Sequence, residues 1–438
     1  MKLLRVGALA ALLSVLVGCA AIQTPDPSGG AAPQASTWLT DAEIIAALGV
    51  TYFADSPEVP QPKVVRLDDL TIVGPATLES IGLPEVGAQD CAESMWPAEI
   101  LEDGGILGAK GTGDGCYEYL YVGQEDSGEE GTAWPPTVPQ SYEVGVVRDG
   151  EWSRISTPRM FDRSIQGGFL KIVTDGAQAW WIEPVGAFEE PTGWNLLAAN
   201  ITTGATSVIA TSEDEGSQPT YLYGTSSLKL HHDRLWFTGY VLPQHMEVIP
   251  GQEPESVPVL MSIATDGSGF NIEQEHIVDA AFAGEDLIVH KFPPSTTSGN
   301  ITNPLGQIMS AVHGEIAGSD PASLATTGFG NLVADGDLVA YSQDASVVVL
   351  DLATKKTTII AAPPVGWITS VSLHEGVVTW SVSDTVGRVY AYDTRSGTGY
   401  QFVVDAPQQA LIDLGDGIAI QRASLRGTSD FVWLTPPR

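Results

Sequence analysis

The chain has 438 residues, with 20 Lys and Arg against 54 Asp and Glu and a formal net charge of −34 at pH 7. Nucleic acid is excluded as a partner, because binding phosphates needs clustered Lys and Arg. Electrostatic adhesion to an anionic membrane leaflet is excluded on the same ground, and the acid excess reads as solubility.

The first element is a charged start, Met1-Lys2-Leu3-Leu4-Arg5, followed by an apolar run from Val6 to Val17. Such a run is too short to span a bilayer, which takes about 20 apolar residues. It predicts a secretory signal peptide over residues 1–18. The run closes on Leu16-Val17-Gly18-Cys19, which resembles the lipobox of bacterial lipoproteins. That resemblance implies cleavage before Cys19, a diacylglyceryl thioether and fatty acylation (palmitate) there, and an extracytoplasmic protein lipid-anchored to a bacterial membrane. Loss of Lys2 and Arg5 moves the formal charge from −34 to −36. The lipid on Cys19 is then the expected membrane contact.

Residues 19–36 are rich in Ala, Gly, Pro, Gln and Ser and read as a flexible tether. Residues 37–61 hold one short helix and a Pro-rich linker. Thr40-Asp41-Ala42-Glu43 is a capping box, Ile44, Ile45 and Leu48 form the apolar face, and Gly49 is the stop.

From residue 62 to 438 short Val/Ile/Leu/Trp/Tyr runs alternate with Gly, Asp and Asn turns, which predicts an all-β domain. A strand, a tight turn and a second strand recur around Asp103-Gly104, Asp175-Gly176, His232-Asp233, Gly284-Glu285, Asp335-Gly336, Glu375-Gly376 and Asp416-Gly417. The last turn starts, 335, 375 and 416, are spaced as four-stranded propeller blades are, at about 40–45 residues. The expected fold is a β-propeller of seven four-stranded blades, with six blades as the alternative and a pair of β-sandwiches as the runner-up. The last unit shows only three strands, so Lys63–Leu67 is expected to supply its outermost strand and close the ring. In this strand–turn periodicity the chain resembles bacterial extracytoplasmic propellers of the YncE-like and TolB-like kind. No functional residues transfer from that resemblance.

Of the three cysteines, Cys19 is assigned to lipid. The remaining pair, Cys91 and Cys116, is expected to form a disulfide, as paired thiols outside the cytoplasm commonly do. Insertions between second and third strands lengthen one face of the ring, and Trp134, Phe188, Tyr240 and Phe292 lie in or beside them. These four are the candidate binding-face residues.

No catalytic, cofactor-binding or metal residues are assigned. The chain lacks a Gly-x-Ser-x-Gly elbow, and acidic turn pairs such as Asp335/Asp337 are explained by turn geometry. His231, His232, Asp233 and His245 are close in sequence, but adjacent residues of a strand point to opposite faces, which argues against a metal cluster. The expected role is binding or scaffolding of a protein or envelope partner in the bacterial cell envelope. The alternatives are a propeller hydrolase or lyase with its site at the central channel, and carbohydrate or peptidoglycan binding.

Overall fold

The structure, a computed structural model, describes residues 40–48, 61–70, 79–80, 93–112, 140–156, 159–161, 171–185, 193–212, 220–221, 228–241, 257–291, 308–313, 322–325, 330–343, 346–361, 367–383, 388–403, 408–413, 418–423 and 429–434. Among them no helix is long and apolar enough to cross a membrane.

Among the described residues the β-rich runs form seven sheets, whose consecutive strands are antiparallel, given in chain order. Sheet 1 runs Glu93–Ile100, Ile106–Thr112, Gln140–Arg148 and Glu151–Arg154, and Arg159–Phe161 pairs with the other end of Gln140–Arg148. Sheet 2 runs Ile172–Thr174, Gln178–Val185, Gly193–Asn200 and Thr206–Thr211. Sheet 3 is Arg234–Val241, Val257–Ala264 and Asn271–Glu275, with its inner edge divided between Thr220–Tyr221 and Lys229–His231. Sheet 4 runs Ile277–Ala283, Asp286–Lys291, Ile308–His313 and Ala322–Ala325. Sheet 5 runs Gly330–Asp335, Leu338–Gln343, Ser346–Asp351 and Lys356–Ala361. Sheet 6 runs Trp367–His374, Val377–Ser383, Arg388–Asp393 and Thr398–Val403. Sheet 7 runs Gln408–Asp413, Ile418–Ala423 and Ser429–Leu434, with Glu79–Ser80 on its outer edge.

Consecutive sheets touch in chain order, sheet 3 meeting Ile277–Ala283 of sheet 4 through Arg234–Val241 and Val257–Ala264, and Gln408–Asp413 returns to Glu93–Ile100, so the sheets form a ring. This is a β-propeller. Its core lies between neighbouring sheets, which explains the sequence pattern. Ser346–Asp351 is buried along nearly its whole length, as a strand covered on both faces must be. Arg234–Val241 alternates half-buried and buried residues. Leu107, Val144, Trp181 and Leu197 join sheets 1 and 2; Trp194, Leu196, Phe237 and Met261 join sheets 2 and 3.

The expected set of uniform four-stranded blades, seven or six, closed by Lys63–Leu67, is overturned. Five blades, sheets 1, 2, 4, 5 and 6, contain four consecutive strands bonded in chain order; sheets 3 and 7 are composite. Lys63–Arg66 pairs in parallel with Lys356–Ala361 on sheet 5, from Lys63 opposite Thr358 to Arg66 opposite Ala361. The strand at Val432 and Trp433 is met instead by Ser80 and Glu79. The physical reason is the apolar content of the 63–70 segment. Val65, Leu67 and Leu70 enter the cluster between sheets 5 and 6 that contains Val347, Val371 and Tyr392, and Leu67 is buried there. Lys63 Nζ donates to Tyr392 Oη at 3.0 Å across the same seam.

Helix Asp41–Leu48 precedes this segment. The Thr40 backbone N–H donates to Glu43 Oε2 at 2.8 Å and the Glu43 N–H to Thr40 Oγ1 at 3.3 Å, a reciprocal cap. Asp41 pairs with Arg66 of the parallel strand.

Candidate metal centre

Three neighbouring first hairpins use the same two-residue turn: His232-Asp233 in sheet 3, Gly284-Glu285 in sheet 4 and Gly336-Asp337 in sheet 5. The first turn residue has positive φ in each, +53° at His232, +58° at Gly284 and +53° at Gly336. Two of the three take glycine, the residue that suits this conformation, and sheet 3 takes histidine.

The left-handed turn removes the alternation of faces that holds along a strand. His231, the last residue of its strand, and His232 therefore lie side by side, with ring centroids 4.1 Å apart and tilted by 55°. His231 also stacks on Phe282 of sheet 4, at 3.9 Å and an interplanar angle of 3°. Trp236 meets Phe282 edge-on at 5.2 Å, so the His231 ring is held by an aromatic stack across the seam. From the sheet 4 turn, Glu285 Oε2 reaches within 3.0 Å of His232 Nε2. One ligand atom from each of His231, His232 and Glu285 lies within 4.8 Å of the others. His231 is half-buried, whereas the side chains of His232 and Glu285 are 62% and 78% exposed.

The hydrogen bond from His232, and then its charge, hold the Glu285 carboxyl below the usual carboxylate range. Partial burial lowers the His231 imidazole, helped by His232 and opposed by Glu285. Two imidazoles and a carboxylate form a mixed N/O donor set suited to borderline transition cations.

The sequence reading placed His231 and His232 on opposite faces, and the structure brings them together. Glu285 was not connected with them because it comes from the next repeat. The available signal was the alignment of turns, which puts His232 in the register of Gly284 and Gly336. Asp233 is exposed beside His232, and His245 lies outside the described residues. So do Cys19, Cys91, Cys116, Trp134, Phe188 and Phe292. Of the binding-face candidates Tyr240 is described: it is half-buried in Arg234–Val241, opposite Tyr221 and Pro258. The described residues therefore bring no two of those candidates together.

A second unusual group is Glu183, on the second strand of sheet 2. It is buried, accepts from Trp181 Nε1 at 3.3 Å, and burial pushes its carboxyl up to about 8.

No protein-family model and no curated protein matches the chain. Solved structures resemble its fold at low identity. Acylaminoacyl peptidase of Pyrococcus horikoshii is 8% identical over 78% of this chain and 51% of that one, with a TM-score of 0.48. This chain thus spans about half the length of that peptidase. The β-propeller domain of the Trilobed protease from Pyrococcus furiosus is 9% identical over 79% of this chain and 97% of that one, with a TM-score of 0.47. An oligogalacturonate lyase in complex with manganese is 10% identical over 79% and 97%, with a TM-score of 0.45. The activities in those names belong to those proteins.

Proposed function

We propose that this chain is a lipid-anchored β-propeller of the bacterial cell envelope whose role is binding or scaffolding. The observation that carries the role is an asymmetry between the two faces of the ring. On one side, where first strands turn into second strands, sheets 3 to 6 use two-residue turns. On the other, second strands lead to third strands through residues 113–139, 186–192, 242–256 and 292–307 in sheets 1 to 4. Sheets 5 and 6 make the same connection through residues 344–345 and 384–387. Extra sequence gathered on one face of a packed scaffold is where binding functions reside. Tyr240 stands at the end of its strand, next to the 242–256 connection.

The anchor is supported by the apolar run Val6 to Val17 closing on Leu16-Val17-Gly18-Cys19. Acyl chains contribute about 0.8 kcal/mol per buried CH₂, and two or more suffice for stable attachment of an acidic protein.

The test is labelling with an alkyne fatty acid followed by membrane fractionation, with a photo-crosslinker at position 240. The wild-type chain should carry label, sediment with membranes and give a discrete crosslinked adduct. Cys19→Ala should lose label and sedimentation. Replacing residues 243–255 by a short Gly/Ser link should lose the adduct and keep the label. An unlabelled wild-type chain in the medium overturns the anchor, and an adduct indifferent to the loop overturns the binding face.

A further inference from the structure

We propose that His231, His232 and Glu285 form a binding site for one divalent transition cation of the zinc type, bridging sheets 3 and 4 on the face opposite the long connections. The three donors come from two sheets and converge: all lie within 4.8 Å of one another, and His232 Nε2 is 3.0 Å from Glu285 Oε2. Zinc takes nitrogen and oxygen donors at about 2.0–2.2 Å in a tetrahedral arrangement, which places donors about 3.3 Å apart. Small rotations of the exposed His232 and Glu285 side chains close the difference. The third donor, His231, needs no search, because its ring is stacked on Phe282 and that ring is braced by Trp236.

An ordinary surface ion pair explains His232 and Glu285 but leaves the second imidazole beside it unexplained, since two adjacent histidines do not improve a single ion pair. The left-handed turn at His232, φ +53°, is what sets the two rings side by side.

The donor set fixes the class of cation. Calcium and magnesium prefer all-oxygen shells, whereas imidazole with carboxylate favours zinc, cobalt, nickel and copper. Three protein ligands leave a fourth position for water or a partner's side chain. The chain's net charge of −34 raises the local concentration of cations.

The experiment uses the full chain, stripped of metal by chelation and titrated with Zn²⁺ against a chromogenic chelator at fixed pH. Cobalt(II) absorption spectra report the coordination. The wild-type chain should bind one equivalent of Zn²⁺, give intense tetrahedral cobalt bands, and unfold at higher temperature with Zn²⁺ present. Glu285→Gln and His231→Gln should each weaken binding at least tenfold. His232→Gly restores the residue found in the sister turns, so it should keep the fold while losing the site and the zinc-dependent thermal shift. The proposal is overturned if the wild-type chain binds no Zn²⁺ at micromolar concentration. It is equally overturned if His232→Gly and Glu285→Gln bind as tightly as wild type.

Discussion

Leu70 occupies the space that a side chain on Gly399 would need: a Cβ at Gly399 would overlap Leu70 Cδ2, Cγ and Cδ1. The contact joins the N-terminal segment to the outer strand of sheet 6, while Lys63–Arg66 pairs with the outer strand of sheet 5. The segment before the first blade therefore seals the seam between two late ones.

Gly399→Ala should displace Leu70 and destabilise the domain by about 1–3 kcal/mol, the usual range for overpacking. Urea unfolding measures it. A variant as stable as wild type would show that Leu70 does not sit there.

Leu67 is buried in the same cluster, so Leu67→Ala should destabilise by about 2–4 kcal/mol. Truncation just before Lys63 should lower the urea midpoint modestly, because among the described residues it removes the short helix with its one buried side chain, Ile44, and the exposed Asp41–Arg66 pair. Truncation through Leu70 should lower the midpoint strongly. Equal midpoints for the two truncations would contradict the packing of residues 63–70.

Trp194 Nε1 donates to Thr220 Oγ1 at 2.9 Å, and both side chains are fully buried between sheets 2 and 3. Thr220→Val keeps the shape and removes the acceptor, leaving an indole N–H without a partner. The expected destabilisation is about 1–3 kcal/mol. Thr220→Ser should restore most of it. Chemical denaturation of the three chains decides the matter.

Glu183 provides a pH signature. Its carboxyl rises from 4.5 to about 8 on folding because burial disfavours the charge. Below pH 4.5 the group is protonated folded or unfolded and has no effect. Between there and about pH 8 the folded state holds the extra proton, so stability falls as pH rises. Glu183→Gln should therefore gain on wild type across this window, by up to about 5 kcal/mol above pH 8. The difference between the two urea curves, taken from pH 4 to 9, isolates this group. A constant difference would mean that the carboxyl is not shifted.

What the sequence revealed and what it hid follow from the range of the forces involved. First hairpins were readable because a tight turn writes itself into two adjacent residues, as at Glu375-Gly376, where φ is +45° and +81°. The cap of Thr40 on Glu43 is equally local. Edge strands are different. Glu79–Ser80 is two residues long and carries no periodicity, and Lys63–Arg66 had the right apolar content but no mark of its partner. The seam between sheets 5 and 6 selected that partner, and a seam exists only after folding. The histidine cluster was hidden for a related reason: Glu285 is 53 residues from His232, and the alternation rule fails at a left-handed turn.

The pairing of Glu79–Ser80 with Ser429–Leu434 also sets an order of events in time. During synthesis the chain emerges from its N-terminus, so the early strand must wait while the intervening sheets are made. Loop-closure entropy places such distant contacts late in folding. Until Glu79–Ser80 finds Val432 and Trp433, the outer edge of sheet 7 remains open to other chains. The two residues Glu79 and Ser80 therefore cover, late and from far away in the chain, an edge that would otherwise offer itself to a second molecule.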